Sequence, residues 1–300
     1  MILVTGATGH LGKATVDFLL QKGVTPASIA VLVRDEKKAA EFQKKGVTLT
    51  LGDYDNYNSL VNAFKGVDKL FFISASDVFN RSKQHENVVN AAKESGVSHI
   101  VYTSFSSTNE TESSAIAMVA ESHLKTEKWI KESGIGYTIL KNGIYMDMLP
   151  VFMGDHVLQT GMITQPAGNG KSAYASRNDM AEVASNILTS PGHEGKTYTL
   201  AGEKSYSYHD IANILSKVTG KEIKYISPTP EDFGRMLKEA QVPDAYIGLF
   251  TAFSVAKAKG EFDTPDATLE KLLGKKTTTL EEYLKDVYSK QPAGHLESMS

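Results

Sequence analysis

The chain has 300 residues, of which 41% are hydrophobic and 22% charged, so it can bury a large core and is too apolar to be a disordered chain. Its 32 Lys and Arg residues against 35 Asp and Glu residues leave a net charge of -3, which excludes the basic excess that general nucleic-acid binding requires. Cysteine is absent, which excludes disulfides, thiolate metal sites and a cysteine nucleophile, and fits a reducing cytoplasm.

The start of the chain lacks the pattern of an export signal. Met1–Gly6 enters a strand-like run at once, without a basic region, a long apolar stretch or a small-residue cleavage site. No later segment approaches the roughly 18 uninterrupted apolar residues of a membrane span. We therefore expect a cytoplasmic enzyme whose partners include neither a membrane nor a nucleic acid.

Through the first half of the chain, short apolar runs of strand length alternate with longer amphipathic segments. This alternation predicts right-handed crossovers and the α/β class, a Rossmann-like doubly wound parallel sheet covered by helices on both faces. The predicted strands are Ile2–Thr5, Ile29–Val33, Val47–Leu51, Leu70–Ser74, His99–Ser104 and Tyr137–Leu140. The predicted helices are Leu11–Lys22, Glu36–Lys45, Tyr57–Phe64, Lys83–Ser95 and Ser114–Ser133. Left-handed helix caps are expected at Gly23, Gly46, Gly66, Gly96 and Gly134.

After about Asn142 the alternation of strand-like and helix-like segments becomes irregular, which predicts a smaller C-terminal α+β lobe over the carboxyl edge of the sheet. We predict a Rossmann domain over residues 1–145, a substrate lobe over 146–290 with some segments that return to the Rossmann sheet, and a disordered tail over 291–300. The predicted strands of the lobe are Met162–Gln165, Ser172–Ser176, Thr197–Ala201 and Ile223–Ser227. Its predicted helices are Asp179–Leu188, Tyr208–Val218, Glu231–Ala240, Ala245–Lys259 and Leu280–Tyr288.

Three glycines, Gly6, Gly9 and Gly12, follow the first strand and open the first helix. In that position glycines permit a tight turn and close backbone approach, and the helix N-terminus offers free N–H groups to a pyrophosphate. The spacing is G-x-x-G-x-x-G, which departs from the usual G-x-G-x-x-G, and the alternative is an ordinary strand-to-helix turn. Because the motif lies on the first βα turn of an alternating pattern, we predict an NAD(P)-binding domain.

The end of the second strand predicts which dinucleotide is bound. NAD sites place an acidic residue there, about 20 residues beyond the glycines, whereas Arg34 occupies this place here. A guanidinium binds a 2′-phosphate in a bidentate fork, with Lys37 or Lys38 nearby to add charge. The alternative is a solvated Arg34 beside Asp35, which caps the second helix or accepts from a ribose hydroxyl. We favour NADP over NAD.

Polar residues also end the third, fourth and fifth strands, where the crevice of such a sheet binds ligands. Asp53 and Tyr54 lie where the adenine edge is expected, although Asp53 is nearly as well explained by an Asx-turn or a helix cap. Ser74, Ser76 and Ser104 reach the same crevice, and each is equally well explained as a strand-end cap. We include all five among the predicted cofactor-binding residues.

Several ordered motifs carry a family resemblance. The blocks TGATGHLG, LVRD, LGDY and FISAS resemble the atypical short-chain dehydrogenase/reductase superfamily. The segments HLKTE and YTILKNGIY are similar to its NmrA-like branch, and within it to bacterial NADPH:quinone oxidoreductases and triphenylmethane reductases. The resemblance implies that Thr8, His10 and Leu11 join the phosphate loop and that Arg34 meets the 2′-phosphate. It also implies that Asn142 and Tyr145 line the nicotinamide end of NADPH.

The acid–base pair of typical short-chain dehydrogenases is missing. Their Tyr-x-x-x-Lys pair exchanges a proton with a carbonyl or alcohol oxygen from one helical turn. Tyr137 and Lys141 have this spacing but fall in a predicted strand, where they are too far apart. Val119 and His123 occupy the two places on the predicted helix. His123 is therefore a candidate general acid, with a structural hydrogen-bond role as the alternative.

Without a dedicated proton donor, a ketone is a poor substrate, because its alkoxide charge needs a partner. Quinones and cationic triphenylmethane dyes accept hydride with little acid help, so we expect a small, planar, electrophilic substrate held beside the nicotinamide. Residues 145–153, which are rich in Met and aromatic side chains, are expected to roof that slot, or else to form an ordinary amphipathic helix on the lobe. Tyr145 is thus a second catalytic candidate.

Two functions remain open at this point. The first is an NADPH-dependent reductase that transfers hydride directly to quinones or related electrophilic aromatic dyes, without a metal. The second is a non-catalytic NADP-binding redox sensor that binds a regulatory partner protein, as the NmrA-like resemblance implies. A sugar-nucleotide epimerase is disfavoured by the missing Tyr-x-x-x-Lys pair. A homodimer is compatible with the sequence, and no metal-ligand spacing or hydrolase elbow is present.

Overall fold

The computed structural model describes residues 1–154 and 156–289. The tail predicted over residues 291–300 lies outside the described residues. The strands are β1 Ile2–Val4, β2 Ile29–Val33, β3 Thr48–Leu51, β4 Lys69–Phe72, β5 His99–Phe105, β6 Gly136–Asn142, β7 Ile144–Tyr145, β8 Met162–Thr164, β9 Ser172–Ala175, β10 Lys196–Leu200, β11 Ser205–Tyr206 and β12 Lys224–Ile226.

The helices follow the predicted order, with short additions in the second half. They are α1 His10–Gln21, α2 Ala40–Lys44, α3 Tyr57–Ala63, α4 Arg81–Glu94, α5 Ala117–Glu132, α6 Leu149–Met153, α7 Val157–Thr160, α8 Arg177–Thr189, α9 Tyr208–Thr219, α10 Pro230–Glu239, α11 Asp244–Ala258, α12 Thr268–Leu273 and α13 Leu280–Tyr288. Turns of 3₁₀ helix cover Pro26–Ser28, Glu36–Ala39 and Met146–Met148. The five expected glycine caps all have positive φ, between 74° and 82°.

Seven strands form one parallel sheet in the order β3-β2-β1-β4-β5-β6-β10. Adjacent residues of a strand enter different cores, because side chains alternate across a sheet. Val4 and Phe71 face the core beneath α1 and α8, whereas Leu3 and Phe72 face the core beneath α3, α4 and α5. The predicted doubly wound parallel sheet is confirmed.

The sequence pattern predicts Thr197–Ala201 as a strand of the second half of the chain. In the structure β10, Lys196–Leu200, pairs in parallel with β6 at the edge of the main sheet. The helix α8 likewise packs against α1 of the Rossmann core. Segments of the second half thus return to the sheet, and the boundary between residues 145 and 146 stays a prediction.

Apart from α12, which packs against α8, much of the rest of the second half builds a separate core. A three-stranded sheet, β11-β9-β7, and the parallel pair β12-β8 pack with α6, α9, α11 and α13. Among the described residues, no helix is long and apolar enough to cross a membrane.

The chain order of the main sheet reverses between β1 and β4, and ligands of such sheets bind outside the carboxyl ends of the strands at this point.

Candidate active site

The turn between β1 and α1 lies at the point where the strand order reverses. Gly6 has a φ of +57°, and its carbonyl oxygen accepts a hydrogen bond from Gly9 N at 3.0 Å. A Cβ at Gly12 would lie 2.4 Å from Gly6 O, so only glycine lets the helix pack against the turn. No side chain caps α1, so its first N–H groups face the crevice as an anion site. Of the predicted loop residues, Gly6, Thr8, Gly9 and His10 are exposed, and Leu11 and Gly12 are buried.

Arg34 follows β2 at the same edge of the sheet. Its side chain is exposed and forms no ion pair with any residue in 1–154 or 156–289. The neighbouring Asp35 is the N-cap of a 3₁₀ turn, where its carboxylate accepts from Lys37 N at 2.9 Å. This bond gives Asp35 the capping role, and beside it Arg34 presents an exposed guanidinium to which a phosphate can bind.

Asp53 and Tyr54 have local structural roles. Asp53 accepts from Asp55 N at 3.1 Å, which is the Asx-turn alternative, and the cap of α3 is Asn56. The hydroxyl of Tyr54 donates to Ile73 O at 2.8 Å and lies 2.5 Å from Thr5 Oγ1. Because Ile73 packs against Gly6, the hydrogen bond from Tyr54 to Ile73 stabilises the residue on which the glycine turn packs.

The three predicted serines differ in their surroundings. Ser74 is half-buried and shares a 3.3 Å bond with Thr103, a neighbour that the sequence analysis did not single out. Ser76 is exposed in the loop after β4. Ser104 is buried and donates to Glu127 on α5 at 2.6 Å, so its hydroxyl is directed into the protein and not toward the crevice.

Asn142 and Tyr145 meet at the end of β6. The amide nitrogen of Asn142 donates to the hydroxyl of Tyr145 at 3.1 Å. The amide oxygen of Asn142 is buried and accepts no hydrogen bond from the residues that the structure describes. A buried acceptor without a partner is costly, so it suits a ligand that brings an N–H donor, as a carboxamide does.

Arg177 was missed by the sequence analysis. Its guanidinium lies 4.2 Å from the centre of the Tyr145 ring and donates to Asp147 at 2.6 Å. His10 of the glycine turn lies 3.1 Å from the same carboxylate oxygen. These contacts join residues up to 137 positions apart, so no local sequence pattern indicates them. Together, the contacts of Arg177, Asp147 and His10 hold in place the side of the crevice that contains the phenol ring of Tyr145.

His123 lies in a buried network. Its Nδ1 is 2.7 Å from the hydroxyl of Tyr102 and its Nε2 is 3.3 Å from a guanidinium nitrogen of Arg81. Burial, and next the charge of Arg81, hold the pKa of His123 well below its usual range. A neutral imidazole with both nitrogens engaged is not a proton donor at neutral pH, so the contacts favour the structural alternative for His123.

The segment over residues 145–153 forms β7, a 3₁₀ turn and the short helix α6. Met146, Leu149 and Met153 are buried in the core of the lobe, as expected of an ordinary amphipathic segment. Phe152 is only half-buried and packs against two aromatic rings of α11, Phe250 and Phe253. The segment therefore combines the packing role with one aromatic side chain that is available to line a slot.

The chain was compared with known families and proteins. The profile of the NmrA-like family matches residues 1–284. Quinone oxidoreductase 2 of Escherichia coli (strain K12) is 37% identical over 289 residues, which is 96% of this chain and 99% of that protein.

Two solved structures are similar over nearly the whole chain. The NADPH-dependent quinone oxidoreductase of Escherichia coli, complexed with NADPH, has a TM-score of 0.89 at 37% identity, covering 96% of this chain and 100% of that one. The triphenylmethane reductase of Citrobacter sp., complexed with NADP(H), has a TM-score of 0.87 at 37% identity, covering 95% and 99%.

Proposed function

The chain belongs to the NmrA-like family, and on that premise we propose that it is an NADPH-dependent reductase that transfers hydride directly to quinones or related electrophilic aromatic dyes. Family membership confirms the NmrA-like resemblance drawn from the HLKTE and YTILKNGIY segments. The single observation that carries the proposal is the arrangement along one edge of the sheet. A free guanidinium, an uncapped helix N-terminus and an unpaired buried amide oxygen follow one another there, in the order of the 2′-phosphate, the diphosphate and the carboxamide along NADPH.

We assign the cofactor contacts residue by residue. When bound, NADPH supplies a hydride from the nicotinamide ring. The backbone between Gly6 and Gly12 binds the diphosphate, and Arg34 binds the 2′-phosphate. Asn142 accepts from the carboxamide, and the ring of Tyr145, held by Arg177, forms the wall beside the acceptor. The local hydrogen bonds described above hold this surface in place; they are made by Asp53, Tyr54 and Ser104.

Catalysis in this proposal is chiefly positioning. Burial raises the pKa of Tyr145, so its phenol stays protonated and offers a hydrogen bond and no negative charge. No Tyr-x-x-x-Lys pair is present on α5, where Val119 and His123 are both buried. The acceptor must therefore need little acid help, which a quinone or a cationic dye satisfies.

The alternative of a non-catalytic redox sensor is not favoured. The relatives reported above are named as oxidoreductases or reductases, and a sensor does not require an aromatic wall beside the nicotinamide position. The small planar substrate is proposed on the same grounds. A cytoplasmic location and a homodimer stay predictions of the sequence.

Turnover of NADPH with menadione tests the proposal directly. The purified protein is mixed with both, and the absorbance of NADPH is followed over time. We expect saturable oxidation of NADPH that depends on the quinone. Measurable NADPH binding without turnover of several quinones and dyes would contradict the reductase and favour the sensor.

A further inference from the structure

A buried arginine lies at the carboxyl edge of the sheet without a carboxylate beside it. Arg81 begins α4 and is 7% exposed, and its Nε donates to Ala75 O at 2.8 Å. Its other contact is with the neutral ring of His123 at 3.3 Å. Within residues 1–154 and 156–289, no carboxylate oxygen lies within 4 Å of this guanidinium. Asp77, in the preceding loop, is exposed and accepts from Asn80.

A short chain of contacts connects Arg81 to the proposed acceptor position. The ring of His123 stacks on Phe105, with ring centres 6.1 Å apart. Phe105 ends β5 and is paired in register with Asn142 on β6. Asn142 in turn donates to the hydroxyl of Tyr145. Arg81 therefore lies at the same edge of the sheet as the aromatic wall of the site.

A second cation of this region, Arg177, is already compensated. Arg177 is paired with Asp147, so the two charges largely cancel at the wall. Burial dominates the raised pKa of Tyr145, and the positive charge of Arg81 opposes that rise, which indicates that its field reaches the phenol. A guanidinium does not lose its proton in proteins, so Arg81 keeps its charge although it is buried. Arg81 thus keeps a positive charge near the slot that no described carboxylate pairs with directly and that the exposed Asp77 offsets only from a distance.

We propose that Arg81 is a specificity-determining residue that makes the site prefer acceptors that become anions on reduction over acceptors that are cations before it. The inference rests on the proposed function and narrows its substrate class to quinones. Charge inside a site from which water is excluded acts more strongly than in water, so a buried cation without an ion-pair partner discriminates between the two classes.

Quinones and cationic dyes both accept a hydride, but their charges before and after reduction differ. A quinone that accepts a hydride, which carries two electrons and one proton, becomes the hydroquinone monoanion. The monoanion then takes a proton from water. A cationic triphenylmethane dye forms a C–H bond at its central carbon and becomes neutral, with no further proton needed. Arg81 stabilises the negative charge that develops in the first case. In the second case it repels the cation that must first enter the slot.

The test compares two acceptors in three variants. We measure kcat/KM with menadione and with a cationic triphenylmethane dye for Arg81→Met, Arg81→Lys and the control Arg235→Met, which removes an exposed arginine of α10. Arg81→Met is expected to lower the menadione value about tenfold and to leave the dye value unchanged or raised. Arg81→Lys is expected to retain most of the preference, and Arg235→Met all of it. Equal losses with both acceptors, or equal losses in the Met and Lys variants, would overturn the proposal.

A binding measurement separates this inference from the proposed function. Lawsone, a hydroxynaphthoquinone that is an anion at neutral pH, and neutral menadione are titrated into the NADP⁺-loaded protein. We expect Arg81→Met to weaken lawsone about tenfold and menadione hardly at all. Weaker lawsone binding in Arg81→Met would support the role of Arg81 even if the protein did not oxidise NADPH. An absence of turnover would contradict only the proposed reductase activity. Unchanged lawsone affinity in Arg81→Met would overturn the inference.

Discussion

Arg177 donates to Asp147 at 2.6 Å while its guanidinium lies over the ring of Tyr145, so one ion pair determines how the aromatic wall of the site is oriented. Both side chains are only 22% exposed, which limits screening by water. The pair joins the start of α8 to the 3₁₀ turn after β7. It thus connects a helix that packs against α1 of the Rossmann core to the lobe that carries the slot.

A double-mutant cycle tests this connection. Arg177→Met, Asp147→Asn and the combined variant are compared in urea unfolding, and we expect a coupling of about 1–2 kcal/mol, because the residues are in direct contact. Lys217 and Glu281 form a more exposed pair and provide the control cycle, for which no measurable coupling is expected. Additive effects of Arg177→Met and Asp147→Asn would show that the two residues act independently.

Gly12→Ala tests the glycine turn. The new Cβ would lie 2.4 Å from the carbonyl oxygen of Gly6, which is backbone and cannot move without opening the turn. We expect a loss of about 1–3 kcal/mol in stability together with weaker NADPH binding. Gly248→Ala is the control, because a Cβ at this helical glycine of α11 meets no atom within 4 Å. An equal response of the two variants in Tm and NADPH affinity would contradict the role of Gly12.

Arg34→Ala tests the choice of dinucleotide. A lost charge-assisted pair with the 2′-phosphate is expected to weaken NADPH by about 2–3 kcal/mol and to leave NADH nearly unchanged. Isothermal titration of both cofactors measures the difference. Lys44→Ala, an exposed lysine at the end of α2, serves as the charge control. If both cofactors weakened equally in Arg34→Ala, the 2′-phosphate assignment would be wrong.

Tyr145→Ala tests the wall of the acceptor slot. Removal of the ring is expected to raise the KM of the acceptor more than it raises the Kd of NADPH, since the ring faces the acceptor. Tyr145→Phe keeps the ring and loses only the hydroxyl, which accepts from Asn142, so a smaller effect is expected. Steady-state kinetics and NADPH titrations give the two ratios. The reverse ordering would move Tyr145 out of the slot.

The burial of Lys257 predicts that the free energy of unfolding depends on pH. Its amine is buried between β9 and α11, donates to Tyr174 at 2.8 Å, and has its pKa lowered by burial from 10.5 to about 7. Between these values the unfolded chain binds more protons than the folded one at this position, so the contribution of Lys257 to stability rises with pH. Below about pH 7 both states are protonated and the cost of burying the charge is fully present.

The variant Lys257→Met removes this dependence. The free energy of unfolding is measured by urea at pH 7 and pH 9, and the difference between the wild type and the variant is expected to increase with pH in favour of the wild type. Lys259→Met, on an exposed lysine two residues later, is the control and should give the same difference at both values. A constant difference for Lys257→Met would mean that its amine titrates near its ordinary pKa.

Much of the fold was predictable because it depends on short-range patterns. Parallel strands such as β2 and β5 are buried on both faces, and glycines such as Gly23 and Gly134 end helices in a conformation that other residues adopt at a cost. The second predicted helix was less well described, since Glu36–Ala39 forms a 3₁₀ turn before α2 begins. Element order was thus determined locally, and details of the ends depended on capping contacts.

The amino-acid sequence by itself determined the doubly wound sheet, the glycine turn and the position of Arg34, because each follows from residues adjacent along the chain. Only the tertiary structure decided the pairing of Arg177 with Asp147, the burial of Lys257 and Arg81, and the place of β10 in the main sheet. These features join residues far apart along the chain. Their free energies depend on burial and on the charges brought near by packing, which no local pattern contains.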